Sequence, residues 1–182
     1  MKVIIAYGTR YGATQGVAER MSEWLHEDNI DSDIINVKKD SWPELSLYKG
    51  LIFGSGIKIG QWTKEMKNFV KKNKEEINAL KGPKVFFVCS GYAAIPERYQ
   101  EIKEEYCKKV LGDFGVTVDT YEAFGGVMNV SSDSPIGWLD KKILKVAGKD
   151  TPNFDPDGVN DSRDWDKIKK FTQEFIQRIK KD

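Results

Sequence analysis

Short β-branched and aromatic runs recur along this chain, and segments of helical period separate them. The runs are Lys2 to Tyr7, Asp33 to Val37, Leu51 to Gly54, Lys84 to Cys89 and Thr117 to Phe124. The longer segments are Ala13 to Asp28, Lys64 to Leu80, Pro96 to Leu111 and Asp164 to Ile179. Val17, Met21, Trp24 and Leu25 share one face of the first, and Met66, Phe69, Val70, Ile77 and Leu80 one face of the second. Such spacing predicts helices, while the apolar runs are strand-length. Gly82-Pro83 breaks the chain before the fourth strand, and Pro96 suits the first turn of a helix. Strands that are apolar throughout, with a helix between each pair, imply a parallel sheet covered on both faces. The expected fold is therefore α/β: a doubly wound, five-stranded parallel sheet in one domain spanning residues 1–182.

Charge and length narrow the function. The 182 residues suit one domain of common size. With 29 Lys and Arg against 28 Asp and Glu, the net charge of +1 gives no general attraction for polyanions, so no nucleic-acid partner is expected. The apolar runs fall far short of the ~20 residues that span a bilayer, and the N-terminus lacks the apolar core of a signal peptide. Cys89 and Cys107 make neither a disulfide scaffold nor a close metal-ligand pair. These features describe a reduced cytoplasmic protein. His26, the only histidine, reads as a solvated helix-end residue, so no serine–histidine–aspartate system is expected, nor any metal site.

One stretch breaks the rhythm. Residues 125–162 hold the turn-rich Asn129 to Pro135, a short helix over Ile136 to Ala147 and a polar run from Gly148 to Ser162. So long a connection either covers one edge of the sheet or serves a function. Ile136, Leu139, Ile143, Leu144 and Ala147 form an apolar face, with Lys141, Lys142, Lys145 and Lys149 around it. That face suits the body of its own sheet, a quinone, a porphyrin or a membrane surface. Asp150, Asp155, Asp157, Asp161, Asp164 and Asp166 argue against the membrane, because they repel an anionic bilayer.

In open α/β sheets ligands bind beyond the carboxyl ends of the strands, where the strand order reverses. After the first strand comes Thr9-Arg10-Tyr11-Gly12-Ala13-Thr14 and then a helix. Hydroxyls and free N–H groups at a helix N-terminus suit a phosphate, although Thr9 or Gly12 also suits a simple helix cap. After the third strand comes Ser55-Gly56-Ile57-Lys58-Ile59-Gly60-Gln61-Trp62, where glycines let backbone approach a ligand closely. After the fourth comes Ser90-Gly91-Tyr92. One phosphate-type loop and two loops of glycine and aromatic residues suit a ligand with a phosphate tail and a flat ring. Trp62 and Tyr92 are equally compatible with ordinary core or rim packing.

These loops resemble those of the flavodoxins, which bind flavin mononucleotide (FMN). The flavodoxin phosphate loop, Ser/Thr-x-Ser/Thr-Gly-x-Thr, is matched at Thr9, Gly12 and Thr14, while Tyr11 stands where a third hydroxyl donor is usual. The nearest resemblance is to the branch containing the bacterial FMN-dependent protoporphyrinogen dehydrogenase. It shares Ser55-x-Ile57-Lys58-x-Gly60, Phe69-Val70-Lys71-Lys72 and an excursion with Trp138, Leu139 and Asp140-Lys141 near its middle. The resemblance implies the strand order 2-1-3-4-5 and FMN as cofactor. Thr9, Arg10, Gly12, Ala13 and Thr14 would hold the phosphate, Ser55 to Gln61 would line the ring with Trp62 as a stacking wall, and Ser90, Gly91 and Tyr92 would face its other side. It implies no catalytic side chains, since the flavin carries the chemistry.

Three functions follow as expectations. The first is an electron carrier between redox proteins, ferredoxin-linked or similar. The second is an FMN-dependent protoporphyrinogen IX dehydrogenase that passes electrons to a quinone. The third, a cofactor-free receiver domain, needs an Asp at the end of the third strand, where this chain has Phe53-Gly54-Ser55-Gly56. No carboxylate lies between Ser55 and Trp62, so the second reduction step of the flavin is expected at a less negative potential than in acidic flavodoxins.

Overall fold

The computed structural model describes residues 1–149 and 153–181. Asp150, Thr151 and Pro152 of the predicted polar run, and the side chain of Ala147, lie outside what is described. The elements run β1 (Lys2–Gly8), α1 (Ala13–Glu27), β2 (Asp31–Asn36), β3 (Leu51–Lys58), β4 (Gln61–Trp62) and α2 (Lys64–Ala79). They continue with β5 (Lys84–Cys89), α3 (Pro96–Lys103), α4 (Val110–Phe114), β6 (Thr120–Phe124) and β7 (Val127–Asn129), then α5 (Trp138–Gly148), β8 (Val159–Asp161) and α6 (Trp165–Ile179). A π-helical stretch, Glu104–Lys109, joins α3 to α4.

Five strands pair in parallel in the order β2-β1-β3-β5-β6, and β4 folds back on β3. Alternate residues of each strand feed two separate cores. Ile4, Ala6, Phe53 and Phe86 pack with Met66 and Phe69 of α2 and with Ile102 and Leu111 of the α3–α4 run. Val3, Ile5, Ile52 and Phe87 pack with Val17, Met21 and Leu25 of α1 and with Ile168 and Phe175 of α6. Each of the larger of these side chains stabilises the fold by about 1.5–3 kcal/mol when fully buried, so both faces of the sheet need a helical layer. All five apolar residues that the sequence assigns to the buried stripe of α2 are buried.

Two departures from the sequence reading bear on function. The third strand does not end at Gly54. It continues level with β5 through Gly56 and then turns back, pairing Ile57 with Trp62 and Lys58 with Gln61. Ile59 and Gly60 make the turn with φ of 49° and 68°. Positive φ at both central residues is the geometry that matches the twist of a two-residue hairpin. The excursion, moreover, is neither structureless nor laid against the main sheet. Its two ends pair as an antiparallel ribbon, Val127 with Asp161 and Asn129 with Val159, and the ribbon presents α5 beyond the carboxyl ends of the strands.

Candidate functional site

The sheet register brings the predicted loops to one level. Gly8 lies opposite Ser55, and Gly56 opposite Cys89, so the chain leaves β1, β3 and β5 at the same edge. β1 and β3 are also the strands at which the order reverses. The loops enclose a cleft of about 1290 Å³. A smaller hollow, of about 590 Å³, lies by Lys81, Lys84 and Arg178 at the other end of the sheet, away from every predicted site residue.

Of the residues singled out in the sequence, all but Gly12 and Ser55 border the cleft. Both of these act on its shape. Gly12 caps α1 with φ at 91° and donates its N–H to Thr9 Oγ1 at 3.0 Å, which bends the loop around the helix start. Ser55 is buried, accepts from Thr63 N at 3.0 Å and donates to Gly56 O at 3.0 Å. It thereby ties β3 to Thr63, whose own hydroxyl accepts from Met66 N at the start of α2.

Thr14 is 1% exposed, and its Oγ1, which has the Cys89 thiol as a neighbour, meets no hydrogen-bond partner of full geometry among the described residues. A buried polar group in that position costs about 1–3 kcal/mol. The first turn of α1 carries no acidic side chain, so the positive end of its dipole is uncompensated. Gly56 keeps the space beside this hydroxyl open, because a Cβ there would stand 3.1 Å from Thr14 Oγ1. An anionic oxygen at this corner would meet a hydroxyl and the positive end of a helix dipole.

The ring side of the cleft is apolar and cationic by turns. Trp62 borders it but is only 3% exposed, its indole stacked on Phe86 and Phe114 at centroid distances of 4.4 and 5.9 Å. Trp62 Nε1 donates to the carbonyl of Tyr106 in the π-helical turn at 2.6 Å. The side chain therefore forms part of the cleft floor rather than a free wall. Tyr92 is half-buried on the facing turn, with the Arg98 guanidinium 4.1 Å from its ring centroid. Ile59 projects from the hairpin tip and is 73% exposed.

The sequence reading missed the closest ionic arrangement in the site. Asp140, in the first turn of α5, accepts from Lys58 Nζ at 2.5 Å and from Arg10 Nη2 at 3.2 Å. The Tyr11 ring lies 5.7 Å from each cation. Lys58, helped by the Tyr11 hydroxyl and Arg10, holds the Asp140 carboxyl at about 2, and the same contact raises Lys58 and Arg10 against the effect of burial. No local pattern signals this pairing, because its partners stand 82 and 130 residues away. Lys38, Tyr106 and Met128 also reach the cleft without a sequence signal, and Lys142, Ile143, Leu144 and Val146 of α5 border it.

A family model described as a flavodoxin domain matches residues 4–155. The chain belongs to the flavodoxin family. Among curated relatives, the protoporphyrinogen IX dehydrogenase (quinone) of Escherichia coli K12 is 25% identical over 181 residues, covering 96% of this chain and 94% of its own. The enzyme of the same name from Leishmania major is 22% identical, covering 96% and 74%. Solved flavodoxins share the fold. One from the domain Archaea superposes with a TM-score of 0.54 at 17% identity and 99% coverage of both chains. Oxidised flavodoxin 1 from Bacillus cereus superposes with 0.56 at 14% identity, covering 97% and 98%. This flavodoxin-family protein is accordingly an FMN-binding redox protein that transfers electrons to redox partners. The orphaned Thr14 hydroxyl and the open space over Gly56 fit a phosphate tail at the start of α1. Among the described residues no helix is long and apolar enough to cross a membrane.

Proposed function

We propose that this chain is a single-domain cytoplasmic flavodoxin that holds FMN across the three loops and works as an electron carrier, ferredoxin-linked or similar. FMN supplies one- and two-electron redox chemistry when bound. Thr9, Thr14 and the N–H groups of Arg10, Tyr11, Ala13 and Thr14 bind the phosphate, while the Gly12 N–H stays with Thr9 Oγ1. Gly56 to Gln61 line one side of the ring over the Trp62 floor, while Ser90, Gly91 and Tyr92 line the other. Ser55 and Gly12 keep those two loops in shape. The observation that carries the reading is the Thr14 hydroxyl, buried and unpartnered at the corner where β1, α1 and β3 meet.

The charge around the cleft sets the direction of tuning. Arg10, Lys38, Lys58, Lys64 and Lys142 face Glu65 and, through its ion pairs, Asp140. The cationic excess favours the anion that a fully reduced flavin carries. The second reduction step therefore lies at a less negative potential than in acidic flavodoxins, and a reductive titration that finds it strongly negative overturns this point.

A second reading, oxidation of protoporphyrinogen IX with a quinone as acceptor, is supported by the names of the two relatives and by α5. Trp138, Leu139 and Val146 of this helix are 71%, 58% and 66% exposed, Val146 borders the cleft, and Lys142 is seated 5.2 Å from the Trp138 ring centroid. Such a face suits a large apolar anion. Purified protein should take up FMN and turn yellow. Reduction through a ferredoxin-linked donor without oxidation of protoporphyrinogen favours the carrier, and quinone-dependent oxidation of protoporphyrinogen favours the dehydrogenase. Protein that stays colourless with FMN overturns both.

A further inference from the structure

Like Glu122 between Lys103 and Lys167, Asp140 bridges two cations, but it does so at the cleft. Both of its carboxylate oxygens are committed, each to a cation from a different loop, and the Asp140 and Lys58 side chains are only 22% and 21% exposed. It joins three segments far apart in sequence: the loop after β1, the β3–β4 hairpin and α5. Among the described residues, the other polar ties of α5 stay inside the excursion, such as Lys141 Nζ to Ser131 O at 2.7 Å and Lys145 to Asp157 at 2.9 Å. The outward face of α5 is apolar and open, so burial holds this helix down less than it holds α1 or α6. A carboxylate between the sheltered Lys58 and the more exposed Arg10 therefore does two things at once. It fastens the helix, and it removes positive charge from the cleft mouth.

We propose that Asp140 is a positioning residue for the flavin: it fastens α5 across the mouth of the cleft and offsets Lys58 and Arg10, so that the cleft becomes more cationic whenever the strap lifts. The inference rests on the flavin lying in this cleft, as read above. It gives the excursion a role that a plain edge cover lacks. A partner that displaces α5 would bare Lys58 and Arg10, and the flavin would then accept electrons more readily.

Two measurements on Asp140→Asn test this, each with Asp140→Glu as the conservative rescue. In the flavin-free protein, hydrogen exchange of amides 138–149 should speed up at least several-fold in Asp140→Asn, with α1 and α6 unchanged and Asp140→Glu close to the native rate. In the FMN-loaded protein, the second reduction step should move to a less negative potential in Asp140→Asn. It should return toward the native value in Asp140→Glu and in the double variant Asp140→Asn with Lys58→Gln. Unchanged exchange in α5 overturns the fastening. Faster exchange with an unmoved potential, or one that moves the other way, overturns the charge role. Faster exchange in a protein that binds no flavin leaves the strap standing and removes the flavin reading instead.

Discussion

Thr14 shows how a single hydroxyl can carry opposite costs in two states. In the flavin-free protein its Oγ1 is buried without a partner, a penalty of about 1–3 kcal/mol that a methyl group of the same shape does not incur. On the proposed reading, the same oxygen meets the phosphate when FMN is bound. Thr14→Val should thus raise the stability of the flavin-free protein to urea by about 1 kcal/mol. It should also weaken FMN about tenfold, equivalent to ~1.4 kcal/mol, and leave riboflavin, which lacks the phosphate, unaffected. Equal losses for FMN and riboflavin in paired fluorescence titrations would place the phosphate elsewhere. Thr14 was legible in the sequence because the chemistry of a helix N-terminus is local: the hydroxyl, the glycine and the free N–H groups sit within six residues of Thr9. Asp140 was not, since its partners lie on two other loops. In the sequence Tyr11 stands where a third hydroxyl donor is usual, and only the structure sets its ring beside Arg10 and Lys58.

At the scale of elements, legibility followed periodicity. Helices α1, α2 and α6 lie within about a residue of their predicted ends, because each has one apolar face and a long enough run to display it. The hairpin after Gly54 escaped detection because three glycines in seven residues imitate a loop, and a two-residue strand such as β4 has no period to show. The π-helical turn before α4 has no sequence signal either, although it brings Tyr106 to the Trp62 indole. The hairpin also carries a local conflict. Ile59 is β-branched yet sits at φ 49°, where an L side chain crowds its own carbonyl at a cost of about 1–2 kcal/mol. Ile59→Gly should therefore stabilise the flavin-free protein by about 0.5–1 kcal/mol after the extra freedom that glycine gains in the unfolded chain. Urea denaturation followed by far-ultraviolet circular dichroism reads this directly. A lower midpoint would mean that the exposed isoleucine contributes contacts that outweigh its strain.

The sheet order over the whole molecule came from the resemblance, since periodicity alone places strands without ordering them, and the register then explained why three loops meet. The balance of charge with pH is likewise a property of the whole. Asp33 beside Lys2 and Tyr48, Asp140 beside Lys58, and Asp161 beside Arg163 are all held below the ordinary carboxylate range. Glu122 is too, because Tyr99, the Ala123 N–H and two lysines outweigh its burial. A depressed carboxylate lends stability that is complete above its unfolded value, about 4, and is lost as pH falls through the folded one, which for Asp140 is about 2. On the alkaline side, burial pushes Cys89 up to about 12, and burial together with Asp33 and Glu122 takes Tyr48 and Tyr99 to about 12. These groups keep their protons when folded, so their stability is intact below about pH 8, where the unfolded thiol, with a value of about 8.5, begins to ionise. It drains away as pH rises toward 12. Lys103, raised by Glu122 against burial, acts in the same direction, while Lys167, lowered by burial, acts against it. Unfolding free energy from urea titration should therefore form a plateau between about pH 5 and 8 and fall on both flanks. Across the plateau the two buried thiols should resist a thiol reagent until the chain unfolds. Stability that kept rising from pH 9 to 11, or rapid thiol labelling at pH 8, would show that the two cores do not shut out solvent as the packing on either side of the sheet requires.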